Sequence, residues 1–231
     1  MDKKTKEDFL NGETLLIDKP LNWTSFQAVN SLKWGIRKKF DLKKIKIGHA
    51  GTLDPLATGL LIICTGKFTK RIPELQGQAK EYTGTITLGA TTPSYDLETQ
   101  IDATFSIEHI TSDNIHATAN KFLGKIAQVP PIFSALKKDG KRLYEFAREG
   151  KKVEIKSREI EIFDFEITGI QLPEVHFRVT CSKGTYIRSL AHDFGKELQS
   201  GAYLSTLRRT KIGNYNVNNA LTPDVFKETM L

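Results

Sequence analysis

The segment from Ile47 to Gly59, IGHAGTLDPLATG, carries the residues with the clearest potential for chemistry. One carboxylate, Asp54, precedes a proline in a loop with three glycines, and the apolar run LLIIC follows. Asp-Pro is also a common structural turn, because proline restricts its predecessor and Asp binds nearby backbone amides. A glycine-lined loop between two apolar segments can nevertheless present its carboxylate rigidly to a ligand at a sheet edge. Asp54 is therefore a candidate catalytic residue, and a purely structural role is the alternative.

A lone catalytic carboxylate needs a partner that keeps it ionised and oriented. The sequence offers Arg188 in KGTYIR, at a predicted strand-to-helix turn, although an ordinary surface arginine is the alternative. Tyr82, Tyr186 and His49 are aromatic groups near glycines and lysines. Such rings can stack on a nucleobase that is held outside its helix, or they can simply fill a core.

Several other classes of chemistry lack their usual sequence support. There is no P-loop, no G-x-G-x-x-G after a strand, no H-E-x-x-H and no G-x-S-x-G. The two cysteines, Cys64 and Cys181, form no C-x-x-C pair, so we expect two free thiols in a reducing cytoplasm and no metal site. The charged N-terminus has no signal-peptide pattern, and no apolar run is long enough to predict a membrane span.

The positive charge is concentrated in two segments. The chain has a net charge of +7 and a pI of about 9.3. Residues 33–46 hold seven basic residues and one acidic residue, and residues 137–152 hold seven basic and three acidic residues. Clustered positive charge is typical of proteins that bind a polyanion, and a solvated helix face is the alternative.

Short strands and amphipathic helices must position these residues. Residues 14–18 and 60–65 are predicted as buried strands, and residues 80–89 as a half-buried strand with Tyr82 and Ile86 on its inner face. A helix capped by Thr24 or Ser25 is predicted from its apolar positions Phe26, Val29, Leu32 and Ile36. We expect a helical turn from Lys67 to Ile72 to end at Pro73.

The second half of the chain predicts more strands, with helices at irregular intervals. A helix is expected from Ser112 to Phe122, and a change of apolar parity between residues 153 and 167 indicates a β-bulge. Residues 175–181 alternate, residues 202–213 form a further strand candidate, and Thr222 with Pro223 begins a last helix. The predicted fold class is α+β, with a large mixed, mainly antiparallel sheet flanked by helices and loops, in a single domain of residues 1–231.

GHAGTLDPLATG closely resembles the catalytic-loop motif of the TruB family of pseudouridine synthases. LLIDKPLNWTS, KEYTGTITLG, VPPIFSALKKDGKRLYEFAREG, CSKGTYIRSL and YLSTLRRTKIG resemble further family segments in the same order, so the resemblance covers roughly residues 11–213. It implies the pseudouridine synthase fold. The implied reaction is isomerisation of uridine 55 in the T loop of transfer RNA, with base flipping and with neither cofactor nor metal, in a cytoplasmic enzyme that we expect to be a monomer.

The resemblance also implies roles for individual residues. Asp54 would be the essential carboxylate, Tyr82 would stack on the target base, and Arg188 would pair with Asp54. Tyr186 and Leu207 would line the uracil pocket, and His49 would enter the T loop. The basic RNA contacts would come from Lys19 and from residues 130–152, called here the thumb segment, namely Lys137, Lys138, Lys141 and Arg142.

One departure from the family pattern concerns the C-terminus. Many family members carry an RNA-binding domain of the PUA type there, whereas we expect residues 214–231 to form only a short C-terminal extension and no full PUA domain. Two alternative functions are a non-catalytic protein that binds or folds transfer RNA and a guide-dependent synthase that acts on ribosomal RNA. The intact Asp54, Tyr82 and Arg188 argue against the first, and the expected absence of a PUA domain argues against the second.

Overall fold

The computed structural model describes residues 3–138, 140–151 and 153–231. The helices of this described part are α1 (Lys6–Asn11), α2 (Ser25–Lys39), α3 (Ile72–Gly77), α4 (Ser112–Lys121), α5 (Leu143–Arg148), α6 (Ile187–Glu197) and α7 (Pro223–Met230). The strands are β1 (Thr14–Lys19), β2 (Ile47–His49), β3 (Ala57–Thr65), β4 (Lys80–Leu88), β5 (Ala90–Thr91), β6 (Ala103–Thr104), β7 (Gly124–Gln128), β8 (Lys137–Lys138), β9 (Lys141–Arg142), β10 (Arg158–Gln171), β11 (Glu174–Cys181), β12 (Ala202–Ile212) and β13 (Tyr215–Asn216).

Nine of the strands form a mixed sheet. Its order is β1-β3-β12-β4-β11-β10-β7, with β2 paired to β3 and β13 paired to β12. The pairs β1 with β3 and β10 with β11 are antiparallel, whereas β3 and β12 run parallel. The predicted α+β class with a large mixed sheet is therefore confirmed.

The chain divides into two compact units. The first unit ends at Tyr82 and resumes from Leu207 to Leu231, and the second unit comprises Thr83–Thr206. Residues 214–231 belong to the first unit, where they form β13, a short 3-10 turn and α7.

The core of the first unit explains why β3 is apolar along its whole length. Leu61 and Ile63 point to one face, where they pack with the buried side of α2 and with Phe226 of α7. Leu60 and Ile62 point to the other face and join a second buried cluster. Alternate side chains of a strand point to opposite faces, so a strand covered on both faces reads as a continuous apolar run.

Aromatic rings fill the core of the second unit. Phe165 of β10 contacts Phe122, Phe177 and Phe194, with ring centroids 5.7–6.4 Å apart. The register of β10 against β11 shifts between Ile162 and Asp164, which confirms the β-bulge predicted from the change of apolar parity. Residues 94–110 are described and include β6, which pairs with β5.

Two local predictions were wrong. Phe26 does not join the buried face of α2 but is 70% exposed, because the buried face is centred on Ala28, Leu32 and Ile36 and Phe26 lies outside that arc. The expected helical turn is present as a short 3-10 helix, Gly66–Arg71, but Pro73 does not stop the helical segment. Helix α3 follows directly, and Pro73 lies in its first turn, where its missing N–H has no helical partner to lose. The sequence pattern also gave no indication of α1 or β7.

Both cysteines are buried free thiols, as expected. None of the helices that the structure describes combines the length and the apolar character needed to cross a bilayer.

Candidate active site

Asp54 lies half-buried in the loop between β2 and β3. The loop is closed by two backbone hydrogen bonds. The Ala50 N–H donates to the Ile62 carbonyl at 2.8 Å, and the Ala57 N–H donates to the Asp54 carbonyl at 3.1 Å. The carboxylate is thus carried by a backbone whose two ends are tied to the same strand.

The residues on either side of Asp54 are held by the segment that starts α2. The buried Ser25 hydroxyl accepts from the Leu53 N–H at 2.8 Å and donates to the Leu53 carbonyl at 3.0 Å. On the other side, the Asn22 N–H donates to the Pro55 carbonyl at 2.9 Å. These bonds fix the position of the Asp54 backbone independently of any ligand.

Lys19, at the end of β1, is fully buried beside the loop. Its ammonium donates to the carbonyls of Trp23 at 2.6 Å, Pro20 at 2.9 Å and Pro55 at 3.4 Å. Burial lowers the Lys19 pKa to about 8; the Asp54 carboxylate opposes this shift, and Arg209 adds to it. The structure thus places Lys19 in the electrostatic neighbourhood of Asp54 as a support of the loop, while its role as an RNA contact stays a prediction.

Arg209 of β12 is a second buried cation in this neighbourhood, 1% exposed. Its guanidinium donates to the Leu60 carbonyl at 2.7 Å and to the Gly51 carbonyl at 3.0 Å, which ties β12 to both ends of the Asp54 loop. Gly59 allows this approach, because a Cβ there would lie 2.3 Å from the Arg209 carbonyl oxygen. Gly59 also has φ of +102°, which disfavours any other residue.

Three further predicted site residues also lie in the first unit. His49 is in β2, and burial, followed by the charge of Arg209, lowers its pKa, which favours a neutral imidazole. Leu207 of β12 pairs in register with Ala57, three residues after Asp54. Tyr82 of β4 is 8% exposed, and the carbonyl of its neighbour Glu81 accepts from the Thr210 hydroxyl of β12 at 3.2 Å.

Arg188 lies in the second unit, in the first turn of α6, and is 4% exposed. Its guanidinium donates to the carbonyls of Phe133 at 2.9 Å and Ser94 at 3.3 Å. The Asp96 carboxylate lies 3.6 Å from Arg188 Nη1 and is almost as deeply buried. The direction of this guanidinium is therefore set by contacts from two separate loops.

Tyr186 precedes α6 and is held by its backbone. The Gln128 amide oxygen accepts from the Tyr186 N–H at 2.8 Å, and the Gln128 amide nitrogen donates to the Tyr186 carbonyl at 3.1 Å. The Arg158 guanidinium lies over the Tyr186 ring, 4.6 Å from its centroid. This arrangement leaves the half-buried ring with a fixed backbone and one covered face.

The thumb segment contains a basic β-hairpin followed by a helix. Strands β8 and β9 pair antiparallel and bring Lys137 and Lys138 opposite Arg142 and Lys141, and α5 follows directly. Lys137, Lys138 and Arg142 are exposed, whereas Lys141 is paired with Glu149. The predicted turn includes Asp139, which lies outside the described residues, as does Lys152.

The sequence interpretation missed the residues that support the site. Ser25, Arg209, Asp96 and Gln128 hold the candidate residues in place. Ser25 and Arg209 lie in the family-like segments LLIDKPLNWTS and YLSTLRRTKIG, but the sequence interpretation considers Ser25 only as a helix cap and gives Arg209 no role. Ser25 and Leu53 are 28 residues apart, and Arg209 and Gly51 are 158 residues apart. Only the folded chain brings these residues together.

Comparison with protein families gives two adjacent matches. The model for the TruB family pseudouridylate synthase N-terminal domain matches residues 37–187, and the model for the tRNA pseudouridylate synthase B C-terminal domain matches residues 188–231. Similar proteins include a tRNA pseudouridine synthase B from Flavobacterium johnsoniae, 66% identical over 98% of this chain and 99% of that protein. Another, from Phocaeicola vulgatus, is 53% identical over 96% of this chain and 94% of that protein.

Solved structures agree with this match. A chain in a crystal structure of a Cbf5-Nop10-Gar1 complex superposes with a TM-score of 0.71 at 28% identity, covering 97% of this chain and 56% of that chain. A chain in an H/ACA RNP bound to a substrate RNA containing 2'-deoxyuridine gives 0.68 at 27% identity, covering 95% and 53%. The present chain thus spans about half the length of these structural relatives. The fold is that of a pseudouridine synthase. The chain belongs to the TruB family of pseudouridylate synthases.

Proposed function

We propose that this protein is a tRNA pseudouridine synthase that converts uridine 55 in the T loop of transfer RNA to pseudouridine. The observation that carries the proposal is the rigid loop that presents Asp54 beside the buried ammonium of Lys19. Relatives named tRNA pseudouridine synthase B, 52–66% identical over nearly the whole chain, support the choice of substrate.

The reaction is an isomerisation, so no atom is gained or lost overall. The bond between N1 of uracil and C1′ of ribose breaks, the base turns over, and a bond forms between C5 and C1′. The C5 proton is released and N1 gains a proton. One carboxylate suffices because the leaving base stays in the site and rejoins the sugar, unlike in glycosidases, which use two carboxylates.

In this proposal Asp54 acts on the ribose. On one route it adds to C1′ as the base departs and is displaced when C5 bonds to C1′. On the other it removes the 2′ proton to give a glycal-like intermediate and returns that proton to C2′ when C5 bonds to C1′. On either route the C5 proton is released and N1 gains a proton. Tyr82 stacks on the uracil and assists removal of the C5 proton. Arg188 pairs with Asp54, and Tyr186 and Leu207 line the pocket. Neither a cofactor nor a metal takes part.

The target base must leave the T loop to reach Asp54. Extruding a nucleotide costs on the order of a few kcal/mol, and stacking on an aromatic ring returns about 1–3 kcal/mol per base. RNA contacts elsewhere must supply the remainder. We assign them to His49, which enters the loop, and to the exposed basic hairpin of the thumb segment, which contacts the T arm.

A tritium-release assay tests this function. Unmodified transfer RNA transcript labelled at uridine C5 should release one equivalent of tritium from position 55 with the wild-type monomer and no added cofactor. Asp54→Asn should abolish release because the amide cannot act as nucleophile or base. Asp224→Asn removes an exposed carboxylate of α7 and should match wild type.

The same assay separates the alternative functions. Tight binding of transfer RNA without any release would favour the non-catalytic protein. Release from a ribosomal RNA fragment only when a guide RNA is added would favour the guide-dependent synthase. Release from a transcript with uridine 55 replaced by cytidine would contradict the assignment of the target position.

A further inference from the structure

The outer face of α2 exposes two large aromatic side chains. Phe26 is 70% exposed and Trp34 is 62% exposed. Trp34 follows Phe26 by eight positions, which is about 12 Å along a helix axis. Large exposed aromatic rings on one helix face are unusual for a surface that only meets water, and such rings are typical of binding sites.

Basic side chains share this face with the aromatic rings. At about 100° per residue, Phe26, Asn30, Lys33, Trp34, Arg37 and Lys38 fall within an arc of roughly 140°, opposite the buried residues of α2. The Lys38 ammonium lies 4.9 Å from the centroid of the Trp34 ring. Among the ion pairs of the described residues, none involves Lys33, Arg37 or Lys38, so the charges on this face are not neutralised internally.

The face begins beside the Asp54 loop. Ser25, the residue before Phe26, holds the backbone of Leu53 at 2.8 Å. From there α2 extends for 15 residues, about 22 Å, toward the basic residues 37–46. A polyanion bound at Asp54 therefore lies next to a helix face that carries two aromatic rings and three cations.

We propose that this outer face of α2, defined by Phe26, Lys33, Trp34, Arg37 and Lys38, is a second RNA-binding surface that contacts the transfer RNA next to its everted nucleotide. This inference rests on the proposed function. The rings stack on unpaired bases, and the cations contact phosphates. The net charge of +6 across residues 33–46 favours RNA over a protein partner, because an apolar protein interface is depleted in charge at its centre.

Binding measurements on ring variants test the surface. Phe26→Ala with Trp34→Ala should weaken transfer RNA binding by roughly 5- to 150-fold, the loss expected for one base stack, while kcat at saturating RNA stays near wild type. Phe163→Ala removes a comparably exposed ring from the second unit and serves as the matched control. Unchanged affinity in the double variant would overturn the inference.

Fluorescence reports on the same contact without an activity assay. Trp23→Phe leaves Trp34 as the sole tryptophan. Its emission should be quenched by transfer RNA, and its accessibility to acrylamide should fall, at RNA concentrations that match the Kd. Unaltered Trp34 emission at saturating RNA would contradict the proposal. If the ring variants kept wild-type RNA affinity but lost binding to a protein, the face would belong to that protein partner instead.

Charge variants and RNA fragments complete the test. Lys33→Gln with Lys38→Gln should lower the slope of log affinity against log salt by roughly 1.5, and Lys6→Gln with Lys196→Gln, at exposed sites outside both basic clusters, should lower it less. A hairpin containing only the T arm should show the same losses as full-length transfer RNA. Binding and fluorescence do not require turnover. These tests of the α2 face therefore remain valid even if the proposed catalytic function fails.

Discussion

Arg188 and Asp96 form a buried ion pair, with Nη1 of the guanidinium 3.6 Å from Oδ2 of the carboxylate and neither side chain more than 8% exposed. The same guanidinium donates to the Phe133 and Ser94 carbonyls. Two neutral acceptors and one carboxylate thus hold a cation that we propose to act on Asp54. Asp96 is a positioning residue in this arrangement, since it acts through Arg188.

Replacing Asp96 should slow the chemical step more than it weakens binding. Asp96→Asn keeps the shape but removes the charge that directs Arg188, and a misdirected catalytic partner can cost up to about 100-fold in rate. We expect a fall of 10-fold or more in single-turnover tritium release with little change in transfer RNA affinity. Asp102→Asn, which removes an exposed carboxylate bonded to Thr91, is the control. A wild-type rate in Asp96→Asn would show that Arg188 needs no such support.

Lys19 should make stability depend on pH in the alkaline range. Its pKa is about 8 in the folded chain and about 10.5 as a free side chain, so between these values the unfolded chain holds the proton and the folded chain does not. Below pH 8 both states hold the proton, so the full cost of burying the charge lowers the free energy of unfolding. As the pH rises from about 8 to 10.5 this cost is relieved, and the free energy of unfolding increases.

Urea unfolding of Lys19→Met at several pH values measures this contribution. Because methionine cannot titrate, the stability of wild type relative to Lys19→Met should increase as the pH rises from 7 to 10. Lys196→Met, at an exposed lysine of α6, should give a nearly constant difference. A constant difference for Lys19→Met as well would contradict the effect of burial on Lys19.

The sequence was informative where chemistry or periodicity is local. The spacing of glycines around Asp54 predicted a loop between two apolar strands, and the parity change near Phe163 predicted the bulge in β10. Phe26 was misplaced because spacing alone does not say which arc of α2 faces the core. The supports of the site could not be predicted, since Ser25, Arg209 and Gln128 act on residues 28 to 158 positions away, and only the tertiary fold brings them together.

The thumb hairpin should contribute to affinity through phosphate contacts. Lys137→Ala with Lys138→Ala removes two exposed charges of β8, so binding of transfer RNA should weaken and its salt slope should fall by about 1 to 2. Single-turnover release at saturating RNA should stay close to wild type. The comparison is with Lys6→Ala and Lys196→Ala combined. An unchanged salt slope in the Lys137→Ala, Lys138→Ala variant would show that the thumb hairpin does not contact RNA phosphates.

Gly59 should be among the least replaceable residues of the loop. A Cβ at this position would lie 2.3 Å from the carbonyl oxygen and 2.8 Å from the amide nitrogen of Arg209, and the backbone has a positive φ. Gly59→Ala must push β12 away from β3, at a cost of roughly 2–4 kcal/mol in the free energy of unfolding. Gly77→Ala, where a Cβ would meet nothing within 4 Å, is the matched control and should change stability by less than about 1 kcal/mol. Equal urea midpoints for the two variants would refute the packing argument.

His192 should contribute to the loss of stability of the second unit at acid pH. Its ring stacks on Tyr95 with centroids 3.8 Å apart, and burial lowers its pKa to about 4, with a further decrease from Lys196 and an opposing effect of Asp102. Between pH 4 and about 6.5 the unfolded chain binds the proton and the folded chain does not, so stability is lost as the pH falls through this window. His192→Phe keeps an aromatic ring against Tyr95 but cannot titrate, and its thermal midpoint should fall less steeply from pH 6.5 to 4.5. His116→Gln, at an exposed histidine, is the control and should keep the wild-type dependence of the thermal midpoint on pH. If His192→Phe showed the same dependence as wild type, the acid sensitivity would belong to other groups.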